Sequence, residues 1–187
     1  MNQPGMALAL VHSPVLDRRG DVITTAVTNL DLHDLARTAL TYGVGRVYIV
    51  TPVADQQRLA GRIIGHWSEG FGATYNPDRS QALKCLSVVE TVNQALENFR
   101  SSVAGPVRPV LTAAGCREGM SSATARQLLQ DESLFVVLGT GWGLAPEFFE
   151  RGWATLEAIH GPGPSNHLPV RAAAAIILDR LLGDRDC

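Results

Sequence analysis

The sequence predicts an α/β protein in which a mostly parallel sheet carries helices on both faces. Strand-like and helix-like segments alternate along all 187 residues. Such alternation is typical of parallel sheets, because the chain needs a crossover before each new parallel strand. Several strand-like segments, such as residues 6–11 and 134–138, are continuous apolar runs, which indicates buried strands. No shift of composition marks a boundary, so we expect one domain over residues 1–187.

The limits of the elements in the first half follow from a few residues. Pro14 ends the first strand because proline cannot continue a ladder. The first helix begins near Thr28 and Asn29, with acidic residues in its first turns, and ends at Gly43. The predicted order is a strand at 6–11, a strand or extended segment at 22–27, this helix, a strand at 46–50, a helix ending near residue 68 and a loop at 70–79.

The second half repeats the alternation. Thr91 is a typical residue at a helix N-terminus, as are Ser121 and Ser122. The predicted order is a strand at 85–89, a helix at 91–101, a strand at 107–113, a helix ending near residue 130, a strand at 134–138, a second apolar segment at 154–159 and a helix at about 168–182. In parallel sheets, ligands bind beyond the carboxyl ends of the strands. The loops near His12, Thr51, Thr112, Gly139 and Gly161 are therefore the places where we expect a site.

Composition excludes several classes of protein. The formal net charge is −2, so overall charge does not indicate a nucleic-acid binder. The three cysteines are dispersed and odd in number, which argues against a disulfide framework or a zinc site. The histidines are also dispersed, and we expect no metal. There is no signal-peptide pattern and no apolar stretch long enough to span a membrane, so we expect a cytoplasmic protein without membrane contact.

A glycine-rich loop, Gly139-Thr140-Gly141-Trp142-Gly143, follows a buried strand directly. Three interpretations are open: a tight strand-to-helix turn, a ligand loop, or a dinucleotide site. The dinucleotide fingerprint needs a third glycine one residue later and a full helix after it, and the segment before the next strand is short for a helix. Glu157 lies near the position of the acidic residue in that fingerprint, so an NAD-binding enzyme stays an alternative.

A second irregular loop spans residues 160–167 and leads into an alanine-rich helix. Ser165 or Asn166 can cap this helix. Ala172 and Ala175 bound a run of four alanines, which permits close packing either inside the core or against a second copy of the chain. Two strand ends with exposed backbone therefore indicate a ligand site built mainly from main chain.

These C-terminal segments resemble the last two motifs of the SPOUT (SpoU–TrmD) RNA methyltransferases, and the run from Thr28 to Arg37 resembles the first motif. Nearly the whole chain is similar to a bacterial branch of RNA methyltransferases that depend on S-adenosylmethionine (SAM). The motifs that carry this similarity are His12-x-Pro14, Thr28-Asn29 through Arg37, Tyr75-Asn76-Pro77-x-Arg79, Gly139 to Gly143, and Asn166-His167-Leu168. One departure is Asp31, which occupies the position of asparagine in the SpoU-like pattern.

The resemblance implies a fold, a cofactor and a set of site residues. The fold would end in a C-terminal trefoil knot, SAM would lie in the knotted loops, and a homodimer would complete the site for a tRNA or rRNA substrate. Arg37 and Asn166 would be catalytic, and His12, Asn29 and Arg79 would contact RNA. The residues implied for SAM binding are Thr112, Gly139, Thr140, Gly141, Gly143, Ile159, Gly161, Asn166, His167 and Leu168. A non-catalytic RNA-binding module on the same scaffold is the main alternative.

Overall fold

A computed structural model describes residues 5–163 and 166–184 of the protein. Within these residues there are eight strands: β1 (Met6–Val11), β2 (Val15–Leu16), β3 (Val22–Ile23), β4 (Arg46–Val50), β5 (Leu86–Val89), β6 (Val107–Leu111), β7 (Ser133–Gly139) and β8 (Ala154–Thr155). Six of them form one sheet in the order β5-β4-β1-β7-β6-β8. Every pairing described in this sheet is parallel, so the predicted sheet is confirmed.

The described helices are α1 (Asn29–Thr41), α2 (Ala54–Ser68), α3 (Phe71–Tyr75), α4 (Pro77–Leu83), α5 (Val92–Ser102), α6 (Ser122–Leu128), α7 (Val170–Leu182) and a 3₁₀-helix (Pro146–Arg151). Three helices begin where the sequence predicts. Thr28, Thr91 and Ser121 each accept a hydrogen bond from a backbone N–H in the first turn. Such bonds satisfy donors that a helix leaves unpaired. Local sequence therefore determines where these three helices begin.

Both faces of the sheet are covered, as predicted. Successive side chains of a strand point to opposite faces, and in β1 both sets are apolar. Leu8 and Leu10 pack into one cluster with residues of α1, α2, α4, α6 and α7. Ala7 and Ala9 pack into a second cluster with α5 and the 3₁₀-helix. Burial on both faces explains why β1 and β7 are continuous apolar runs.

Two sequence predictions are wrong. The predicted loop at 70–79 instead contains α3 and the start of α4. Asn76 caps α4 through Arg79 N–H, with Pro77 in the first turn, so the Asn-Pro pair starts a helix rather than a turn. The apolar segment 154–159 pairs as a strand only at Ala154–Thr155. No helix in 5–163 and 166–184 is long and apolar enough to cross a membrane.

An antiparallel hairpin that the sequence does not predict as a pair lies beside the sheet. Strand β2 pairs with β3, and its Leu16 exchanges backbone hydrogen bonds with the glycine-rich loop, from Leu16 N–H to Gly143 and from Trp142 N–H to Leu16. After β3 the chain stays extended, and Thr25 N–H donates to the His12 carbonyl. The hairpin thus brings residues just after β1 against the loop that follows β7.

Candidate functional site

A cavity of about 470 Å³ lies at the carboxyl ends of β1, β6, β7 and β8. This is the edge where parallel sheets bind ligands. Its lining comes from the strand-end loops, the extended segment after β3 and the start of α7. The lining residues are His12, Thr25, Ala26, Thr28, Asp31, 112–114, 138–143, 156–159, 166–170, Ala173 and Ile177.

The glycines of the loop after β7 are required by the packing of the protein itself. A Cβ on Gly139 would lie 2.6 Å from the backbone nitrogen of Leu144. A Cβ on Gly141 would lie 2.6 Å from the carbonyl oxygen of Leu16, and Gly141 has φ +59°. Gly143 has φ +113°, which side chains rarely adopt. Internal contacts of the loop and the hairpin therefore account for the first two glycines without any close approach of a ligand.

A chain of side-chain hydrogen bonds runs along the cavity floor. The hydroxyl of Thr140 donates to the Val11 carbonyl at 2.9 Å, and it lies 2.5 Å from the Thr25 hydroxyl. The Thr25 hydroxyl lies 3.1 Å from His12 Nδ1. This chain fixes the imidazole of His12 between the hairpin and the glycine-rich loop.

His12 is the buried ionisable group of the floor. Its side chain is fully buried, and its Nε2 has no hydrogen-bond partner. Burial lowers the pKa of His12 below its usual range, while the Asp31 carboxylate and the Ala26 backbone oppose that shift. The imidazole is therefore neutral at physiological pH and carries an unpaired nitrogen in a residue that lines the cavity, which is a typical state for a proton acceptor.

Asp31 connects the cavity to two helices. It accepts hydrogen bonds from Thr28 in a capping box, and its other oxygen accepts from Arg171 at 3.0 Å. Arg171 also pairs with Asp34 at 3.0 Å. The start of α1 is thus joined to the start of α7 through one guanidinium group, and the Asp31 carboxylate acts to raise the pKa of His12.

The loop before α7 closes the opposite side of the cavity. Asn166 Nδ2 donates to the Ala114 carbonyl at 2.7 Å, which joins this loop to the one after β6. The rings of Trp142 and His167 are in contact, with their centroids 4.9 Å apart and their planes tilted by 31°. Trp142 is 55% exposed, so this pair lies at the rim of the cavity. The candidate helix cap Ser165 lies outside the described residues, and Pro169 occupies the cap position of α7.

Glu157 supplies a second carboxylate at the cavity. It follows β8, and its Oε1 accepts hydrogen bonds from Ser122 N–H at 2.8 Å and from the Ser122 hydroxyl at 2.6 Å. These bonds lower the pKa of Glu157, so the group is ionised at neutral pH. Within 5–163 and 166–184, no group of three or more histidine, cysteine or acidic side chains could hold a metal ion.

Comparison with known proteins identifies the family. The profile of a family described as SAM-dependent RNA methyltransferase matches residues 5–183. The chain belongs to this family. The prediction from resemblance is confirmed, and SAM is the cofactor of the family.

Curated relatives agree with the family assignment. The chain is 42% identical over 185 residues to a tRNA (guanine-N(1)-)-methyltransferase of Nitratidesulfovibrio vulgaris, covering 98% of this chain and 44% of that protein. It is 34% identical to an uncharacterized protein of Aquifex aeolicus, covering 96% of this chain and 89% of that one. The chain therefore spans less than half the length of the relatives that carry an enzyme name.

Solved structures share the fold. A TrmH/SpoU tRNA modifying enzyme of Aquifex aeolicus superposes with a TM-score of 0.58 at 19% identity and covers 99% of this chain and 77% of its own. The SpoU methyltransferase AviRb of Streptomyces viridochromogenes, solved with the cofactor AdoMet, superposes with a TM-score of 0.59 at 13% identity over 97% of this chain and 58% of its own. The α/β sheet of this methyltransferase family member is thus that of SpoU-type proteins.

The cavity suits a charged nucleoside such as SAM. Its volume falls in the range of small-molecule sites, which are mostly apolar with a few polar groups. Leu138, Leu156 and Ile159 supply apolar wall, and main chain from several loops supplies donors and acceptors. The ionised Glu157 suits the hydroxyl groups of SAM.

Most of the residues implied for SAM binding line this one cavity. These are Thr112, Gly139, Thr140, Gly141, Gly143, Ile159, Asn166, His167 and Leu168. Gly161 is exposed and is not among the lining residues. Thr51 is not among them either. The cavity thus lies at predicted strand ends, and the turn at 160–163 is exposed.

The structure separates the residues expected to contact RNA. His12 is in the cavity floor, but Asn29, Arg37 and Arg79 are not among the lining residues. Asn29 and Arg37 are exposed on α1, and the Arg79 guanidinium lies over the Trp67 ring, 4.6 Å from its centroid. Sequence reasoning missed Thr25 and Asp31 as cavity residues. The acidic residues in the first turns of α1 indicate only where the helix begins. No local pattern indicates that Thr25 lies at the cavity.

Proposed function

We propose that this chain is a SAM-dependent RNA methyltransferase whose methyl donor and acceptor meet in the cavity at the strand ends. The observation that carries the proposal is convergence: separate segments of a chain that matches the family over residues 5–183 line one cavity of about 470 Å³. A chain-long family match and a single cavity of suitable chemistry support the same function.

The cavity-lining residues named above would hold SAM. Main chain around Gly139, Thr140 and Gly141, and around Thr112, would bind the adenosine part. Leu168 and Ile159 would pack against it. We add Glu157, whose ionised carboxylate suits the ribose hydroxyls. Gly161 would belong to the site only if the outer turn moves towards the cavity.

The chemistry needs positioning and a place for a proton. When bound, SAM supplies a methyl group on a positively charged sulfur, and the methyl moves to a nucleophilic nitrogen or oxygen of the RNA in an in-line displacement. Positioning supplies much of such a rate enhancement. His12 Nε2 is the acceptor for the proton that the nucleophile releases, since this nitrogen has no partner and its low pKa keeps it free. Asp31 then stabilises the protonated ring.

We propose that Arg37 keeps a catalytic role on one condition and that Asn166 is a positioning residue. Arg37 is exposed on α1 and reaches the reacting groups only when a second subunit or the RNA brings them together, so we propose a homodimer. Asn166 holds the loop against Ala114 and thus acts as a positioning residue. Full activity of an Arg37→Ala variant on a confirmed substrate would contradict the role of Arg37.

The finer features of the family form part of the same proposal. We propose a single domain over residues 1–187, a C-terminal trefoil knot and a cytoplasmic location. Most protein chains do not form knots, so the proposed knot rests only on the similarity to the SPOUT family. The substrate is tRNA or rRNA; tRNA is tested first because relatives carry that name. The chain spans less than half the length of those relatives, so guanine N1 is not assigned as the acceptor.

Calorimetric titration with SAM tests the proposal. We expect saturable binding near one SAM per chain, with NAD as a negative control. Ala114 is an exposed residue of the lining, so Ala114→Leu should obstruct the cavity without disturbing the core. Ala123→Leu makes the same change at an exposed position of α6 outside the lining; it is the matched control and should bind SAM normally. A folded protein that binds no SAM, alone or with RNA, would contradict the proposal.

The NAD alternative loses its structural support. A dinucleotide site needs a helix directly after the glycine-rich loop, whereas this chain has a 3₁₀-helix at Pro146–Arg151. Glu157 is already engaged by Ser122. The non-catalytic RNA-binding module corresponds to one outcome of the titration: RNA binding without SAM binding.

A further inference from the structure

A second group of side chains comes together on the outer surface, away from the cavity lining. It consists of His33 and Arg37 on α1, Arg62, His66 and Trp67 on α2, Phe71 and Tyr75 on α3, and Arg79 on α4; we call it the aromatic-basic surface. Helix α1 packs against α4, and α2 packs against α3 and α4. Part of this surface lies in the segment that sequence reasoning predicted as a loop.

The aromatic side chains of this surface are organised around Trp67. His33 and His66 meet its ring edge-on, with centroids 5.5 and 5.3 Å away, and the Arg79 guanidinium lies over the ring. A Cβ on Gly72 would lie 2.6 Å from the Trp67 ring, so the glycine lets α3 pack directly on the indole. This contact holds α3 in an orientation that leaves Phe71 and Tyr75 exposed.

Phe71 and Tyr75 are the most exposed large apolar side chains described. They are 73% and 74% exposed, and their rings stack at 6.0 Å with an interplanar angle of 23°. Two neighbouring exposed aromatic rings are unusual on a protein surface, because burial of each ring would lower the free energy. Grouped exposed apolar residues mark interaction sites.

Three arginines of the aromatic-basic surface have no ion-pair partner among the described residues. Arg37, Arg62 and Arg79 have no carboxylate within 4 Å in the part of the chain that the structure describes, whereas Arg58 pairs with Asp55 and Arg171 with Asp34. His33 Nδ1 is buried without a hydrogen-bond partner. Burial lowers the pKa of His33, and Arg79 and Arg37 add to that effect while Asp34 opposes it. The surface therefore offers unpaired guanidinium groups, which suit an anionic partner.

We propose that the aromatic-basic surface binds a single-stranded segment of RNA. Bases stack on Phe71 and Tyr75, and phosphates pair with Arg62 and Arg79. Aromatic platforms beside basic side chains are how proteins bind unpaired nucleotides. A paired A-form helix would not present its bases to these rings. The proposal rests on the proposed function, which supplies RNA as the partner, and adds where on the chain the RNA is held.

The position of α1 connects this surface to the cavity. Asp31 at its N-terminus lines the cavity, and Arg37 lies about 9 Å further along the helix axis. One RNA segment can therefore contact the surface while its acceptor nucleotide approaches the cavity.

Fluorescence anisotropy with a labelled RNA stem-loop tests the proposal. The Phe71→Ala, Tyr75→Ala double variant should bind at least about 10-fold more weakly, in line with losses on removing a stacked base. The matched control is Phe149→Ala, which removes another exposed aromatic ring and should bind as the parent does. Tyr75→Phe keeps the ring and should also retain affinity. A duplex of the same length should bind less tightly than the stem-loop and respond little to the double variant.

Separate measurements distinguish failure of this proposal from failure of the proposed function. The double variant should keep the SAM affinity and the unfolding temperature of the parent. If the parent binds RNA through Phe71 and Tyr75 but binds no SAM, the surface stands and the methyltransferase function fails. Unchanged RNA affinity in the folded double variant overturns the surface, as does absence of RNA binding by the parent. A double variant that loses self-association but not RNA affinity, by sedimentation, shows instead an interface between copies and also overturns it.

Discussion

The cavity and the aromatic-basic surface each hold a histidine with one buried ring nitrogen that lacks a partner, His12 Nε2 and His33 Nδ1. Burial lowers the pKa of both, but their neighbours differ. The Asp31 carboxylate raises the pKa of His12, whereas Arg79 and Arg37 lower that of His33 further. A negative neighbour favours protonation of the ring. Positive neighbours keep the ring uncharged and can themselves pair with an anion. The same residue type thus suits proton transfer at one place and RNA binding at the other.

Replacement of the two histidines should separate their roles most strongly. We expect His12→Gln to lower the single-turnover methylation rate by about 10²–10⁴, the range that general bases contribute, while SAM affinity changes little. His33→Gln should leave that rate within about threefold at saturating RNA, because in our proposal it takes no proton. Unfolding temperatures of both variants must stay close to that of the parent. Equal losses of rate in the two variants would contradict the assignment.

The ion pairs of Arg171 give the next largest effect. Asp31→Asn removes a buried carboxylate that accepts from both Thr28 and Arg171. We expect a loss of about 2–4 kcal/mol in the free energy of unfolding, since a cap and a partly buried pair are lost together. Asp34→Asn removes the half-exposed partner of the same arginine and should cost less than about 1 kcal/mol. Urea titrations of both variants measure the difference; similar losses would refute it.

The two cavity loops should differ in their tolerance of a methyl group. Gly141→Ala places a Cβ against the Leu16 carbonyl at positive φ, and we expect it to cost about 1–3 kcal/mol of stability. A methyl group on Gly161 would have no other atom within 4 Å, so Gly161→Ala should change stability by less than about 0.5 kcal/mol. Thermal unfolding of both variants checks this, and a neutral Gly141→Ala would contradict the packing argument.

Stability should also depend weakly on pH through both histidines. Because their folded pKa values are lowered, the unfolded chain binds more protons below its own pKa of about 6.5. The contribution of the two histidines to the free energy of unfolding is therefore complete above about pH 6.5. It is lost as the pH falls from there towards the lower pKa of the folded state. Each histidine adds at most about 1.4 kcal/mol per pH unit. Urea titrations of parent and His12→Gln at pH values on both sides of 6.5 should show a smaller slope in the variant; an equal slope would exclude His12 as a source.

Much of the fold could be predicted because its signals are local. A cap such as Thr28 bonds to its own helix within three residues, and β1 is apolar at every position because both of its faces are covered. The same local interpretation failed for residues 70–79, where Gly70, Gly72 and Pro77 indicated a loop. There, packing of Gly72 on Trp67 stabilises a short helix whose own propensity is low.

The sequence by itself determined the class of fold, the family, and the strand-end loops in which we expect a ligand. These features depend on motifs and periodicity, which neighbouring residues define. Only the tertiary structure decided which residues meet. It placed Thr25 and Asp31 beside His12, left Gly161 outside the cavity lining, and placed Arg37 and Arg79 away from that lining. Those contacts depend on how the hairpin and α1 pack against the sheet, and the energy of such packing comes from residues far apart in the chain.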